Sequence, residues 1–175
     1  SAQRADYLDQ LLAEWFSGEP QTEFLGTYWT ERGQHLEGDA LAAYDLLRDG
    51  PTPESVGVVF RDESRTASCS PDWWLAPHNG VEVKCPAFKT QVSYLRLGIV
   101  PPAYVPQIQF SIWVCGADFW DFLSYHPRLP AVLRRVEPDQ KWQDAFSAHV
   151  PVFLDELSEA RQFLLQSGAQ PTGVS

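Results

Sequence analysis

Two carboxylates and one ammonium are closely spaced in the sequence: Asp72 is followed, after nine residues, by Glu82-Val83-Lys84. Residues two apart on a β-strand project to the same side, so Glu82 and Lys84 share a face if this segment is a strand. Asp72 lies at the entry to a neighbouring hairpin strand, from which it can approach Glu82. Mg²⁺ prefers oxygen ligands, lowers the pKa of a bound water and stabilises charge on a phosphodiester. The pattern therefore predicts metal-assisted phosphodiester hydrolysis, with Lys84 orienting the water or neutralising charge.

A structural interpretation of the same pattern stays open. Glu82 and Lys84 would then form an exposed ion pair on the solvent side of a strand, a common arrangement. Two further polar residues favour a site. Glu37 falls on the apolar stripe of a predicted helix, where an unpaired carboxylate is costly to bury. Gln107 lies in an otherwise apolar segment and needs a buried polar partner. Glu37 or Gln107 alone can be a core residue whose polar group is hydrogen-bonded within the core. Together with Asp72, Glu82 and Lys84 they favour a functional cluster.

The elements expected to position these residues alternate between helices and strands. Apolar spacing predicts amphipathic helices over residues 2–16 and 34–48, the second with an inward stripe of Ala40, Leu41, Tyr44 and Leu47. A further helix is predicted over residues 91–97. Residues 139–165 are predicted to form one or two closing helices, with a break or a new helix start at Pro151. Strands are predicted over residues 56–60, 66–69, 73–76, 81–84, 119–125 and 131–136, with a turn at 77–80.

The segment 103–115 is ambiguous. Residues 107–112 alternate like a strand, while the length and the start signals of the whole segment suit a buried helix. The order of elements predicts an α/β domain with a mixed β-sheet flanked by helices.

Composition limits the classes of function. The 175 residues suffice for one domain with a substantial core, and 44% hydrophobic residues indicate a packed globular protein. The net charge of −10 argues against nucleic-acid binding through uniform positive charge. It does not exclude an enzyme that binds cations in an acidic pocket and meets phosphate through a local patch. Candidate basic positions are Lys89, Arg96, Arg128, Arg134, Arg135 and Lys141.

Three cysteines, Cys69, Cys85 and Cys115, give no disulfide framework and no zinc or iron–sulfur spacing. They predict small buried residues in a reducing cytoplasm. The longest apolar stretches, such as residues 108–115, are too short to span a bilayer, so no membrane partner is expected. The sequence begins at Ser1 and contains no methionine, so we expect a fragment, or a sequence from which an N-terminal part or modified residues are missing.

Several motifs, with their spacing, resemble one nuclease family. They are Arg32-Gly33 with Glu37, Asp39 and Ala40; Phe60-Arg61-Asp62-Glu63-Ser64; Cys69-Ser70-Pro71-Asp72; Val81-Glu82-Val83-Lys84-Cys85-Pro86; Arg96-Leu97-Gly98; and Gln107-Ile108-Gln109-Phe110-Ser111-Ile112-Trp113. Together they closely resemble the lambda exonuclease family, the YqaJ-like viral recombinases of the PD-(D/E)XK nuclease superfamily. The resemblance runs from about Tyr7 to Leu165. It implies a restriction-endonuclease-like core, one nuclease domain over residues 1–167, and a flexible tail over 168–175.

The resemblance also implies an activity and a site. Family members are Mg²⁺-dependent exonucleases that degrade the 5′-ended strand of linear duplex DNA, releasing mononucleotides and leaving a 3′ overhang. By this resemblance Asp72, Glu82 and the backbone carbonyl of Val83 hold metal, and Glu37 assists a second ion through water. Lys84 positions the attacking water. Two Mg²⁺ ions per site are expected, with Mn²⁺ as a substitute.

Other expectations concern DNA and partners. Gln107 resembles a glutamine that supports the site near the lysine, and Lys89 and Arg96 are expected to meet DNA. Thr90 occupies a position that is basic in the best-known relative, and the neighbouring Lys89 would substitute for that basic residue. Thr30 stands near the position of an apolar wedge that separates strands, and Trp73 either packs in the core or offers its ring to a base.

Family members close into homotrimeric rings around DNA ends and act with a single-strand annealing recombinase. The sequence departs from the family at its N-terminus, since the segment Trp…Arg-x-Gly-x-Ile-Thr-Ala-Ser that grips the 5′ phosphate has no match here. Three alternatives remain open: an endonuclease or resolvase of the same superfamily, a non-catalytic module that binds DNA ends or docks a recombinase, and a hydrolase that uses Asp72 and Glu82 as an acid–base pair. The last gives Lys84 no role.

Overall fold

The computed structural model describes residues 2–21 and 28–172. In chain order its elements are α1 (Ala2–Ser17), α2 (Tyr28–Leu47), β1 (Val59–Phe60), β2 (Ser68–Cys69), β3 (Trp73–Leu75), β4 (Asn79–Lys84), α3 (Phe88–Leu97), α4 (Val105–Cys115), β5 (Trp120–His126), β6 (Leu129–Val136) and α5 (Gln140–Gln166). A single 3₁₀ turn, Pro102–Tyr104, leads into α4.

A mixed four-stranded sheet of order β3-β4-β5-β6 forms the centre of the fold. β3 pairs with β4 antiparallel, β5 pairs with β6 antiparallel, and β4 pairs with β5 parallel, with Glu82 opposite Phe122. Parallel neighbours need a long crossover connection, which α3 and α4 supply here. β1 and β2 form a separate two-stranded ribbon. These pairings confirm the predicted α/β class, a mixed sheet flanked by helices.

The alternation of β4 sends its side chains to two different layers. Val81 is fully buried in a cluster with Ala40 and Tyr44 of α2, whereas Gly80 lies against the ring of Trp120, which belongs to the cluster formed with α4. Glu82 and Lys84 fall on the same side as Gly80, because residues two apart share a face. The strand therefore presents its polar pair toward α4.

The ambiguous segment 103–115 is helical. Its residues Ile108 and Ile112 are buried against the sheet, and the helix ends at Gly116, whose φ of 61° suits a residue without a side chain. The apparent alternation from residue 107 to 112 is therefore not the alternation of a strand. It arises because α4 is buried on most sides, including the polar side chains of Gln109 and Ser111.

Several predicted boundaries need correction. The helix predicted over 91–97 begins at Phe88, the helix predicted over 34–48 begins at Tyr28, and the strand predicted over 56–60 is reduced to Val59–Phe60. The expected break at Pro151 is wrong, since α5 runs through it. Proline costs about 3 kcal/mol inside a helix. Aromatic packing before and after the proline offsets this cost, with Phe146 on Phe110 and Phe153 on Tyr7.

The chain divides into two compact units, one of residues 1–25 with 147–175 and the other of residues 26–146. In the first, Arg4 pairs with Glu156 at 2.6 Å, and Thr172 donates its backbone N–H to the carbonyl of Phe16 at 2.7 Å. The predicted domain over 1–167 and tail over 168–175 stay predictions, and residues 173–175 lie outside the described residues. Within the described ranges no helix is long and apolar enough to cross a membrane.

Candidate active site

The polar end of β4 is enclosed. Glu82 is only 3% exposed. Lys84 donates a hydrogen bond from Nζ to Oε1 of Glu82. Gln107 of α4 donates from Nε2 to Oε2 of Glu82 at 2.8 Å. The interpretation of Glu82 and Lys84 as an exposed surface pair is therefore wrong. Gln107 contacts the carboxylate rather than the lysine, so both oxygens of a buried charge have a donor, as burial requires.

Asp72 reaches the same place from the bend before β3. Its Oδ2 accepts the backbone N–H of Val83 at 2.6 Å, and its own N–H donates to the carbonyl of Val81 at 3.2 Å. The residue is exposed overall, but its carboxyl end lies against β4. Burial of that end raises the pKa of Asp72 to about 6, with a further contribution from the charge of Glu82. The N–H of Val83 and the charge of Lys84 oppose this rise in the pKa of Asp72 only in part.

Val83 supplies a third oxygen. The N–H and C=O of one strand residue point to the same side, so its carbonyl lies on the side from which Asp72 approaches. Val83, Asp72 and Lys84 line a cleft of about 520 Å³. The rest of the lining is Gly33, Cys85, Pro86, Ala87, Thr90, Tyr94 and Tyr104. Asp72, Val83 and Lys84 therefore share one cavity, and Glu82 lies buried behind Lys84.

Two tyrosines in this cleft were not anticipated from the sequence. The ammonium of Lys84 lies 5.3 Å from the ring centroid of Tyr104, and that ring stacks on Phe122 at 5.5 Å. The hydroxyls of Tyr94 and Tyr104 are 3.2 Å apart. Burial, followed by the Tyr104 hydrogen bond, raises the pKa of Tyr94 to about 12. A sequence signal existed for Tyr104, which precedes Gln107 by three residues and so falls on the same side of the helical segment.

Glu37 differs from its prediction. It was expected to be buried, but it lies on the exposed side of α2, while Leu47 at the end of the predicted stripe is 52% exposed. Ala40 and Tyr44 alone form the fully buried part of that stripe. Glu37 Oε1 accepts a hydrogen bond from the indole of Trp73 at 3.4 Å and is close enough to Asp72 to raise its pKa. The carboxylate is therefore at the margin of the cluster.

The predicted DNA-contacting residues are distributed differently. Trp73 is 4% exposed and packs against Tyr44 with ring centroids 5.8 Å apart, so the core alternative holds and stacking on a base is wrong. Lys89 and Arg96 are exposed on α3 and do not line the cleft. Thr30 belongs to α2, but its side chain lies outside the described residues.

The oxygen donors fit a hard divalent cation. Carboxylates and a carbonyl are the ligands that Mg²⁺ takes, and a bound cation would favour the ionised form of Asp72, whose pKa is raised by burial and, second, by the charge of Glu82. Within residues 2–21 and 28–172, no three side chains of His, Cys, Asp or Glu come together as metal ligands. A cation at this position would have Asp72, Glu82 and the Val83 carbonyl as its nearest oxygen donors, with Glu37 farther out.

Comparison with known proteins agrees with this geometry. The family model described as the YqaJ-like viral recombinase domain matches residues 1–118, a range that contains every predicted site residue. The chain belongs to the YqaJ-like viral recombinase family. A relative in Escherichia coli (strain K12), ExoD, is 34% identical over 71 residues, which cover 37% of this chain and 82% of that protein.

Solved structures support the same assignment. An alkaline exonuclease from Laribacter hongkongensis, LHK-Exo, is similar with a TM-score of 0.81 and 27% identity, covering 97% of this chain and 87% of that one. Its complex with dAMP gives a TM-score of 0.80 and 28% identity over the same shares. A phage-related exonuclease from Haemophilus somnus, at 13% identity and a TM-score of 0.64, shares the fold. This YqaJ-like chain is therefore an enzyme of the nuclease class.

Proposed function

We propose that this YqaJ-like protein is a Mg²⁺-dependent 5′→3′ exonuclease on linear double-stranded DNA. It releases 5′-mononucleotides and leaves 3′ overhangs for single-strand annealing recombination. The observation that carries the proposal is that Asp72 and Lys84 line one cleft, while the buried carboxylate of Glu82 accepts a hydrogen bond from Lys84 directly behind it. A structural relative, LHK-Exo, has been solved with dAMP, and a mononucleotide is the kind of molecule that an exonuclease releases.

Two Mg²⁺ ions per site are proposed, with Mn²⁺ as a substitute. Asp72, Glu82 and the carbonyl of Val83 would hold the first ion, and Glu37 would assist the second through water. When bound, Mg²⁺ lowers the pKa of a water and stabilises charge on the scissile phosphate. The fit rests on the oxygen-only donor set and on the raised pKa of Asp72.

The protein's own groups hold and orient the reactants. Gln107 fixes one oxygen of Glu82, which sets the direction of that carboxylate. Lys84 offers three donors on a flexible stem, and the ring of Tyr104 limits where its ammonium can lie. In the proposal this ammonium orients the attacking water or neutralises charge as it develops on the phosphate.

DNA ends and protein partners complete the proposal. Lys89 and Arg96 project from α3 as exposed cations and would meet backbone phosphates in an otherwise acidic protein. We propose a homotrimeric ring around the DNA, a single-strand annealing recombinase as partner, and the cytoplasm of a bacterium or phage-infected cell as the location. Light scattering of the purified protein tests the trimer directly.

The decisive experiment uses linear duplex DNA carrying a 5′ phosphate on one strand, with Mg²⁺ or with EDTA. Release of mononucleotides from the phosphorylated strand alone, abolished by EDTA, is expected. A covalently closed circle is the matched substrate without ends. Fragments from the circle would indicate an endonuclease, and no digestion of either substrate by the folded protein would overturn the proposal.

Lys84→Ala is the matched test of the site. We expect kcat to fall by about 10²-fold or more, the range seen when a positioned proton-transfer or charge-stabilising group is lost. Lys141→Ala removes the same charge from an exposed position on α5 and serves as the control. Equal activity of the two variants would remove Lys84 from the mechanism.

A further inference from the structure

Two of the three cysteines form a pair that the sequence did not suggest. Cys69 Sγ of β2 lies 3.5 Å from Cys115 Sγ, although 46 residues separate them in the chain. Both are half-buried and both are free thiols. The sulfur atoms are close enough for a hydrogen bond and too far apart for a disulfide, whose S–S length is about 2.05 Å. The cysteines were expected to be buried, and these two are half-buried.

The pair joins two elements that carry site residues. Cys69 ends β2 and is followed, three residues later, by Asp72, while Cys115 ends α4, the helix that carries Gln107. β2 packs against α4 in the described structure. Closing a sulfur–sulfur bond would bring the two sulfur atoms about 1.5 Å closer together and would tie β2 to α4 at this point. Asp72 and Gln107 belong to the segments that this bond would join, and misplacement of reacting groups by about 1 Å can cost about 10²-fold in rate.

We propose that Cys69 and Cys115 are a redox modification site: a peroxide oxidises them to a disulfide that reversibly lowers nuclease activity. The loss of activity rests on the proposed function, whereas formation of the bond does not. The third thiol, Cys85, lies in the cleft at the end of β4 and serves as the internal comparison.

The chemistry balances with a peroxide as oxidant. The Cys69 thiolate attacks one peroxide oxygen, forms a sulfenic acid and releases hydroxide, which takes up a proton. The Cys115 thiol then attacks the sulfenic sulfur, forms the S–S bond and releases water. Two thiols and one hydrogen peroxide thus give one disulfide and two waters, with two electrons passing from sulfur to oxygen. A dithiol reductant reverses the oxidation.

The local hydrogen bonds fit Cys69 as the attacking sulfur. The hydrogen bond between Cys69 and Cys115 lowers the pKa of Cys69, although burial acts in the opposite direction. The hydroxyl of Ser111 adds a second hydrogen bond to Cys69 that also lowers this pKa. The hydrogen bond with Cys69, followed by burial, raises the pKa of Cys115. These two directions favour Cys69 as the sulfur that attacks the peroxide.

The test treats the full-length reduced protein with hydrogen peroxide, removes the peroxide with catalase, and divides each sample. Peptide mapping without reductant should give a single cross-linked pair containing Cys69 and Cys115. Digestion of linear duplex DNA with Mg²⁺ should fall by about tenfold or more, and dithiothreitol should restore it. In the C115S variant, dimedone should label Cys69 as the trapped sulfenic acid.

Three variants separate the outcomes. C69S and C115S should resist the reversible loss, and C85S should show the same fractional loss as the unmodified protein. Absence of the cross-link at saturating peroxide, a bridge that involves Cys85, or a bridge that leaves activity unchanged would each overturn the proposal. If the reduced protein digests no DNA, the proposed function fails, whereas the peptide map still decides whether the disulfide forms.

Discussion

Replacing Asp72 with asparagine should stabilise the metal-free protein at neutral and alkaline pH. Burial and the charge of Glu82 raise the pKa of Asp72 from 3.8 to about 6. The folded state therefore favours the protonated carboxyl, and ionising it costs stability. Below pH 3.8 this penalty is absent, between pH 3.8 and about 6 it grows, and above about 6 it is complete. Asparagine carries no charge and can still accept the N–H of Val83.

The magnitude follows from the shift. About two pKa units at about 1.36 kcal/mol each give nearly 3 kcal/mol, but Asp72 is partly exposed and solvent screens the effect. After that discount we expect a gain of about 1–1.5 kcal/mol for Asp72→Asn. For a chain of this length, such a gain raises the melting temperature by about 2–6 °C.

Thermal unfolding followed by circular dichroism in EDTA, at pH 8 and at pH 4, provides the assay. The variant should melt higher than the parent at pH 8, and the difference should shrink toward zero at pH 4. With saturating Mg²⁺ at pH 8 the parent should gain stability through binding, while the variant gains little. The same asparagine change at Asp62 is the control, because the Ser64 hydroxyl lowers the pKa of that exposed carboxyl and its neutralisation should not stabilise. An Asp72 variant no more stable than the parent at pH 8, or a gain equally large at pH 4, would refute the reasoning.

Three further predictions address the surroundings of the site. Gln107→Ala removes the hydrogen-bond donor to Glu82 Oε2. It should lower kcat by about tenfold or more with little change in KM, since hydrogen bonds to charged groups contribute about 1.5–3 kcal/mol. An unchanged kcat would exclude this positioning role. Tyr104→Leu removes the ring beneath the Lys84 ammonium and should lower kcat about fivefold, equivalent to about 1 kcal/mol; Tyr104→Phe keeps the ring and should restore most of the activity. Gly80→Ala places a methyl group against the buried indole of Trp120 at the start of β5. Overpacking should lower the free energy of unfolding, measured in urea, by about 3 kcal/mol. A loss below about 0.5 kcal/mol would show that the indole can move aside.

The sequence by itself determined the local features. Alternation fixed that Glu82 and Lys84 share a face of β4, and the hairpin pattern brought Asp72 to the neighbouring strand. The spacing of the motifs identified the family, the α/β class and the nuclease activity. These inferences succeed because side-chain direction repeats every two residues in a strand, and because the hairpin that joins β3 to β4 is short.

The tertiary structure decided which side chains meet across the fold. The donor from Gln107 to Glu82, the ring of Tyr104 below Lys84 and the sulfur contact between Cys69 and Cys115 all depend on how α4 docks on the sheet. Residues far apart in the chain carry no local signal of such contacts.

Burial was the second quantity that the sequence left open. Glu37 fell on a predicted apolar stripe and proved exposed, whereas Trp73, offered as a partner for a base, proved to be core. Helical periodicity gives the angle of a side chain around its own helix, but the part of that circumference covered by neighbours depends on where the helix packs. Pro151 shows the same limit, because local propensity favours a break and packing on both sides of the proline keeps α5 continuous.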